Sequence, residues 1–299
     1  MPASQYLGLL LPLAAAMLYA VAAIALKAAS NRGMGTVRTM AVSNWLTALA
    51  FQVFYDWSSF PALPEPWWPV LMMAGFFVAG QFFTILAFTH GEVSVATPVL
   101  GVKVILVGVM VAWVAGGGVG LAVWVGGALC ALGVGCLQVN DRPHDRRRVV
   151  VAASLALLAA TCFAAFDSTN HHWSPILGFD MLVPPAMLVA AALTVAFVPL
   201  MKGRWRDLPA PAVSAVVVGA VLIAAQSLIF IWSIGRFTNA PAANVVFGSR
   251  GLWGVAFVWL IGHRFDNVEL AGRHRKVVWA RAVGAALILG AIALTFADA

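Results

Sequence analysis

Two basic residues of this chain could do chemistry inside otherwise apolar segments. Lys103 and Arg250 each lie about ten residues from either end of an apolar run. Reaching a membrane surface from there would take about 15 Å at 1.5 Å per residue, which is more than a side chain spans. A charge at the bilayer centre costs about 2.5–3.5 kcal/mol, so such residues normally face a cavity or a partner. We therefore expect both to attract a substrate carboxylate or phosphate, Arg250 bidentately and Lys103 as a point charge.

The structural alternative is that one of the two bases pairs permanently with a carboxylate, or that both bond helix carbonyls. Asp167 is the carboxylate closest to the middle of a segment, and we expect it near the outer end of its helix. It could pair with Arg250, bind a substrate ammonium, relay a proton in a coupling step, or cap the helix. With His171 and His172 it resembles a metal triplet, but a fixed site needs another well-placed ligand. We expect an ordinary polar helix end, no metal and no cofactor.

Further polar and aromatic residues within the apolar runs are candidates for a binding site. They are Gln81, Gln226, Asn44 and Asn244 as hydrogen-bonding groups, and Tyr19, Trp45, Phe83 and Trp253 as an apolar lining. Hydrogen bonds between helices and helix packing or lipid contact are the competing interpretations. Pro98 and Pro241 are expected to interrupt the helices that carry the central charges, either as gating kinks or as static bends.

The elements that position these residues are predicted from composition. Hydrophobic residues make up 62% of 299 positions and charged residues only 10%, which no soluble domain could bury. Ten apolar runs are each long enough for a transmembrane helix, which needs about 20 residues. They are continuously apolar rather than alternating, which favours helices over a barrel. Their approximate spans are 6–27, 36–55, 67–89, 93–114, 120–139, 149–168, 176–200, 211–235, 239–262 and 277–297.

The distribution of basic residues predicts the orientation. Of the eighteen Lys and Arg residues, fifteen lie in or beside the connections after odd-numbered segments and one, Arg236, lies after an even-numbered one. The positive-inside rule places the odd connections in the cytoplasm and both termini outside, in a multi-pass inner (plasma) membrane protein of bacterial type. The net charge of +7 is thereby explained without nucleic acid.

An internal repeat divides the chain. Gly101-Val102-Lys103 corresponds to Gly248-Ser249-Arg250, Gln81 corresponds to Gln226, and glycines recur in the fifth and tenth segments, where they allow close helix approach. We predict five-helix repeats over 1–140 and 149–299, joined by a cytoplasmic linker over 141–148. Because five is odd, the halves must enter the membrane from opposite sides. Such inverted repeats are common in secondary transporters, where the substrate binds at the repeat interface around a central cavity.

Three stretches of the sequence carry a family resemblance. They are the Ala-rich first helix ending in Lys27, Ala87-Phe88-Thr89 to Ala96-Thr97-Pro98 before Lys103, and the counterpart from Trp232 to Asn244 before Arg250. In these stretches the chain resembles the ten-helix, EamA-like branch of the drug/metabolite transporter superfamily. Where halves of this family often carry Trp-Gly, this chain has Tyr19-Ala20 and Phe163-Ala164. The resemblance implies a carrier with a central cavity, most similar to bacterial exporters of amino acids, including aromatic ones.

The leading hypothesis is therefore a secondary transporter, not an enzyme, that exports amino acids or related metabolites by alternating access. An exchanger of phosphorylated metabolites or nucleotide sugars is the alternative within transport, and a membrane-embedded enzyme acting on lipid is the alternative of another class. No convincing nucleophile or metal cluster supports that enzyme. The scarcity of intramembrane carboxylates favours uncoupled transport. The expected partners are the bilayer and a small-molecule substrate, with a monomer as the expected state.

Overall fold

A computed structural model describes residues 3–55, 57–59, 64–90, 93–115, 118–137, 146–201, 205–261 and 275–298. Every regular element in these ranges is helical. The α-helices are α1 Ala3–Asn31, α2 Thr36–Phe51, α3 Trp68–His90, α4 Val93–Gly101, α5 Lys103–Ala115, α6 Leu121–Leu137, α7 Arg146–Leu177, α8 Phe179–Val195, α9 Ala210–Phe237, α10 Ala240–Phe247, α11 Arg250–Ile261 and α12 Arg275–Asp298. Most of the predicted linker 141–148 lies outside the described residues.

Several of these helices have the length and composition to cross a bilayer. Within the described ranges, six segments qualify: Tyr6–Asn31, Trp68–His90, Val95–Val114, Arg146–Leu177, Ala210–Phe237 and Trp279–Asp298. Leu121–Leu137 and Phe179–Val195 are shorter apolar helices. The prediction of an all-helical, multi-pass membrane protein is confirmed at this level.

Small residues lie inside the bundle and many large apolar residues lie outside it. Ala15, Ala16 and Ala164 are fully buried, whereas Leu49 and Trp113 are 68% and 85% exposed. This distribution suits a lipid solvent, because helices in a bilayer associate through close packing of small side chains rather than through the hydrophobic effect. The central part of the core combines these alanines with buried Phe51, Met73, Phe166, Leu182, Phe230 and Phe247.

Helices of the two predicted halves pack mainly against each other. The helix α1 packs along α9, and α3 packs along α7. The helix α6 pairs with α12, and α2 contacts both α8 and α9. The broken pair α10 and α11 lies against α1, and the broken pair α4 and α5 lies against α7. The centre of the bundle is therefore a surface shared by residues from both halves.

Two membrane segments are interrupted, as expected, but the interruptions do not fall at the prolines that were expected to cause them. One break falls at Val102 between α4 and α5, and the other falls at Gly248 and Ser249 between α10 and α11. Lys103 and Arg250 are consequently the first residues of α5 and α11. The structure brings the charges to corresponding breaks, which hydropathy alone did not indicate.

The prediction that Pro241 interrupts its helix is wrong. Pro241 lies in the first turn of α10, where the missing N–H has no partner to lose. Pro98 does lie inside α4, as expected, but the chain leaves the helix only at Val102. The breaks thus follow the prolines by several residues and coincide with the charged positions.

Glycines bring α6 and α12 together; the sequence predicted close approach at these glycines but not that the two helices pair. A Cβ atom added to Gly133 would lie 2.7 Å from Ile288 Cγ1 and 2.8 Å from the Gly284 carbonyl oxygen. One added to Gly284 would lie 2.6 Å from the Gly133 carbonyl oxygen. Gly290, by contrast, has no atom within 4 Å of its ideal Cβ position. The backbones of α6 and α12 therefore touch at Gly133 and Gly284 but not at Gly290.

We expect Gly284→Ala to destabilise the protein by about 1–3 kcal/mol, the usual cost of forcing a methyl group into a filled contact. Gly290→Ala is the matched control, because it adds the same methyl group to open space and gains up to about 1 kcal/mol of helix propensity. Thermal unfolding in detergent micelles measures both. Equal unfolding midpoints for the two variants would contradict the described α6–α12 contact.

Candidate functional site

A buried ion pair lies at the centre of the bundle. Lys103 Nζ at the start of α5 is 2.8 Å from Asp167 Oδ2 on α7, and the two side chains are 13% and 2% exposed. Asn244 on α10 donates a 2.7 Å hydrogen bond from Nδ2 to the same carboxylate oxygen. It also donates a 2.9 Å hydrogen bond to the Ala240 carbonyl. Three helices thus meet at one carboxylate.

The sequence suggested that Asp167 lies near a helix end, but the structure places it inside α7. The helix α7 continues from Arg146 through the polar stretch after Asp167 to Leu177. It does so because that stretch is buried against neighbouring helices: Asn170 and Ser174 are 0% and 5% exposed. Asn170 Nδ2 donates to the Ile231 carbonyl at 2.8 Å. Asp167 is therefore an interior residue, and its ion-pair partner is Lys103 rather than Arg250.

Aromatic rings connect the two central cations. Lys103 Nζ lies 5.5 Å from the ring centroid of Phe230. Phe230 stacks on Phe247 with centroids 4.2 Å apart. The guanidinium carbon of Arg250 lies 4.7 Å from the Phe247 centroid and 5.4 Å from that of Tyr19. The site is a row of cation, two stacked rings and cation, with cation–π attraction at both ends.

Arg250 differs from Lys103 in having no anionic partner among the residues that the structure describes. It is half-buried, and its guanidinium makes no ion pair or hydrogen bond with any residue that the structure describes. Lys103 and Asp167 compensate each other's charge, so about one positive charge remains at the centre. A guanidinium presents a planar fork of N–H donors that matches a carboxylate or phosphate bidentately. The arrangement can therefore hold an anionic group over an aromatic surface.

The predicted binding residues Asn44 and Gln81 form hydrogen bonds with each other. Asn44 Nδ2 donates to Gln81 Oε1 at 2.9 Å, and Gln81 Nε2 donates to Asn44 Oδ1 at 2.8 Å. Asn44 also donates to Thr194 Oγ1 at 2.9 Å, and that hydroxyl donates to the Ala190 carbonyl. Their amides thus join α2, α3 and α8, and the described contacts are those of interhelical hydrogen bonding.

A double-mutant cycle on Asn44→Ala and Gln81→Ala is expected to show a coupling energy of about 0.6–1.7 kcal/mol, the range known for hydrogen bonds between membrane helices. Unfolding in mixed detergent micelles gives the free energies. The control cycle pairs Asn44→Ala with Gln226→Ala and should be additive, because Gln226 Nε2 bonds Ser227 Oγ and the Ile223 carbonyl instead. Additivity in both cycles would contradict the reciprocal amide pair.

The other predicted lining residues are dispersed. Trp45 is 37% exposed, and its indole N–H donates to the Ala191 carbonyl at 3.3 Å. Phe83 packs against Phe82 with centroids 5.7 Å apart. Trp253 stacks on Phe257 and packs against the central core. Gln226 is buried, and its Oε1 has no hydrogen-bond partner among the described residues.

Of the predicted site residues, those that the structure brings together are Lys103, Arg250, Asn244, Tyr19 and Asp167. The sequence did not indicate Phe230, because a phenylalanine in an apolar helix does not stand out from its neighbours. The sequence-based prediction also missed the buried polar face that continues from Asp167 to Asn170 and Ser174. Asn170 and Ser174 follow Asp167 by three and seven residues, a spacing that places the three side chains on one side of a helix and that could have revealed this face.

Two cavities lie toward opposite ends of α7. One, of about 560 Å³, is lined by Leu86, His90, Arg147, Arg148, Val151 and Leu155. The other, of about 270 Å³, lies between the ends of α7, α8 and α9 and is lined by residues including Ser174, Pro175, Phe179, Trp232, Arg236 and Thr238. The larger cavity has the basic side chains of His90, Arg147 and Arg148 beside apolar walls, and the smaller one has that of Arg236.

The chain is similar in structure to a known protein. No family model matches it, and no curated protein matches its sequence. A solved crystal structure superimposes on it with a TM-score of 0.76 at 18% sequence identity, covering 98% of this chain and 99% of the other. At that identity the likeness shows a shared fold, which extends over nearly the whole length of both chains.

Proposed function

We propose that the protein is a secondary transporter that exports amino acids, including large apolar or aromatic ones, or related small metabolites by alternating access. The observation that carries this proposal is Arg250. Its guanidinium lies at a helix break in the middle of a membrane segment, against the rings of Tyr19 and Phe247, without an anionic partner among the described residues. A membrane protein that keeps an uncompensated charge at this depth needs a reason, and an anionic substrate supplies one.

The proposed architecture is ten membrane segments in two inverted five-helix repeats. Helix pairing supports it, because the largest contacts between the halves either have a counterpart with the roles exchanged or join two equivalent helices. The contact of α1 with α9 corresponds to that of α3 with α7, and α2–α9 corresponds to α3–α8. The pairs α6–α12 and α2–α8 would lie on the symmetry axis. Broken helices at a repeat interface are typical of secondary transporters.

The orientation and family are proposed on the sequence patterns. The basic connections would lie in the cytoplasm, and both termini would lie outside a bacterial-type inner membrane. We also propose membership of the EamA-like branch of the drug/metabolite transporter superfamily, on the resemblance of the segments before Lys103 and Arg250.

The charge balance favours a singly anionic or zwitterionic substrate over a phosphorylated one. Because Asp167 neutralises Lys103 at 2.8 Å, Arg250 is the central cation of the described residues that is left to compensate a bound anion. A dianionic phosphate would bring one negative charge too many into a low-dielectric site. The stacked rings of Phe230 and Phe247 suit an apolar or aromatic side chain next to the carboxylate.

Flux of labelled metabolites into liposomes that contain the purified protein tests the proposal. We expect saturable flux of large apolar amino acids down their gradient, without an imposed proton gradient, and none into protein-free liposomes. Competition by sugar phosphates but not by amino acids would replace this proposal with the phosphorylated-metabolite exchanger. A strict requirement for a proton gradient would contradict uncoupled transport and point to Asp167 as the coupling residue.

A further inference from the structure

The 270 Å³ cavity has a basic residue that membrane topology does not explain. Arg236 lies in the last turn of α9, in a connection whose side of the protein otherwise lacks Lys and Arg in the sequence. Its side chain is exposed, and it makes no ion pair with any residue that the structure describes. Nor does it donate to the carbonyls that end α9 in the described contacts. The guanidinium is therefore available to a ligand.

The walls of the same cavity are apolar and aromatic. Trp232, Phe179 and Pro175 line it, together with the hydroxyl-bearing residues Ser174 and Thr238. Its volume of about 270 Å³ lies just below the range of about 300–1,000 Å³ typical of small-molecule sites. A cavity of this size and composition fits one amino-acid-sized molecule that has a carboxylate at one end and an apolar group at the other.

Thr238 holds an unusual backbone conformation at the rim. Its φ and ψ are 47° and 44°, the left-handed region, which a β-branched residue rarely occupies. Its N–H caps α9 by donating to the Ile234 carbonyl at 2.9 Å. The helix α10, which carries Asn244, begins two residues later at Ala240. The rim of the cavity is thus the junction between α9 and the first of the two helices that lead to Arg250.

A buried polar face of α7 runs from the central ion pair to this cavity. Asp167, Asn170 and Ser174 lie on one side of the helix, and about 10 Å separates the first from the last along its axis. Ser174 Oγ donates to Asn170 Oδ1 at 2.6 Å. His171 Nδ1 lies 3.4 Å from the backbone nitrogen of Ala240 and accepts its N–H. Polar groups therefore connect the cavity to the centre of the bundle.

We propose that this cavity is a second substrate subsite, on the side opposite the basic loops, through which substrate passes after leaving Arg250. Arg236 binds the carboxylate, and Trp232, Phe179 and Pro175 contact the apolar side chain. The inference rests on the proposed function, because it assumes that the substrate is an amino acid with an apolar side chain. The inference adds a second binding position for the substrate, names Arg236 as the residue that binds its carboxylate there, and requires that the ligand has a carboxylate.

Protection of an introduced thiol tests the subsite without relying on transport. Thr238→Cys places a reactive group at the rim, and its rate of modification by N-ethylmaleimide is measured in detergent micelles. The unsubstituted protein gives the background from Cys130, Cys136 and Cys162. L-Phenylalanine should slow modification about tenfold at about ten times its Kd, following 1 + [L]/Kd. Phenethylamine, which lacks the carboxylate, should not slow it.

Arginine variants in the Thr238→Cys background locate the effect. Arg236→Gln should abolish protection, whereas Arg206→Gln, an exposed arginine outside the cavity, should leave it intact. Arg250→Gln should also leave it intact, because the subsite is local. Protection that survives Arg236→Gln, or that disappears with Arg250→Gln, would overturn the inference and assign the effect to the central site. Absence of protection in Thr238→Cys itself would overturn it as well.

Flux through the Thr238→Cys protein separates this inference from the proposed function. Saturable phenylalanine flux without thiol protection would refute the subsite and leave the transporter. Thiol protection without flux would support a binding site at Arg236 and refute phenylalanine export.

Discussion

Arg250→Gln is expected to reduce amino-acid flux into liposomes by about 30-fold or more in kcat/KM. Removing one partner of a buried, hydrogen-bonded charge pair costs about 2–5 kcal/mol, and each 1.4 kcal/mol is a factor of about ten. The structure gives the reason: the guanidinium is the central positive group that no described carboxylate compensates. Glutamine keeps much of the length and two N–H donors of the side chain, so the loss measures the charge and the planar fork rather than the packing.

Two further variants make this result specific. Arg250→Lys retains the charge but not the bidentate geometry, and we expect intermediate flux from it. Arg206→Gln removes an exposed arginine far along the chain and should transport as the unsubstituted protein does. Since Arg250→Gln also changes the cation–π contact with Phe247, thermal unfolding must show that the variant is folded. A folded Arg250→Gln protein with full flux would refute Arg250 as the anchor for the substrate.

Asp167→Ala is expected to destabilise the protein by about 3–5 kcal/mol. The substitution leaves the Lys103 ammonium, which is 13% exposed, without its carboxylate in the middle of the bundle, and breaking a buried ion pair costs that much. It also removes the acceptor of the Asn244 amide. Unfolding in mixed micelles, followed by tryptophan fluorescence, measures the change in the free energy of unfolding.

The double variant Lys103→Met, Asp167→Leu is the matched control for the ion pair. Replacing both members of a buried pair with apolar residues is often neutral, so most of the lost stability should return. Transport by the double variant then reports whether the pair has a role beyond stability. If Asp167→Ala unfolds at the same midpoint as the unsubstituted protein, the described ion pair does not contribute to the folded state.

Properties that depend on composition along the chain were predictable. The all-helical membrane class follows from long apolar runs, because a bilayer leaves the backbone few ways to satisfy its hydrogen bonds. The central position of Lys103 and Arg250 within apolar runs follows from counting residues, and the glycines Gly133 and Gly284 indicated that another helix could approach closely there, although not which helix. Each of these properties can be predicted from the residues of one segment and the helical rise per residue.

Hydropathy gave the wrong interpretation where polar residues are buried by packing. It ended the sixth segment near residue 168, whereas α7 continues to Leu177 with Asn170 and Ser174 inside the bundle. The sequence also led us to expect interruptions at Pro98 and Pro241, whereas the structure has them at Val102 and at Gly248 and Ser249. Whether a polar residue ends a membrane helix depends on whether a neighbouring helix offers it a partner.

Composition and residue counting along the apolar runs are enough to predict a helical membrane protein and to put Lys103 and Arg250 in the middle of their runs. The pairing of the polar side chains depends on the fold: Asp167 pairs with Lys103 and Asn244, Asn44 pairs with Gln81, and the contacts of Arg250 among the described residues are with aromatic rings. Asp167 and Asn244 are 77 residues apart in the chain, and Asn44 and Gln81 are 37 apart. Such pairs are selected by the packing of whole helices, which brings distant positions within 3 Å and which no local pattern of residues encodes.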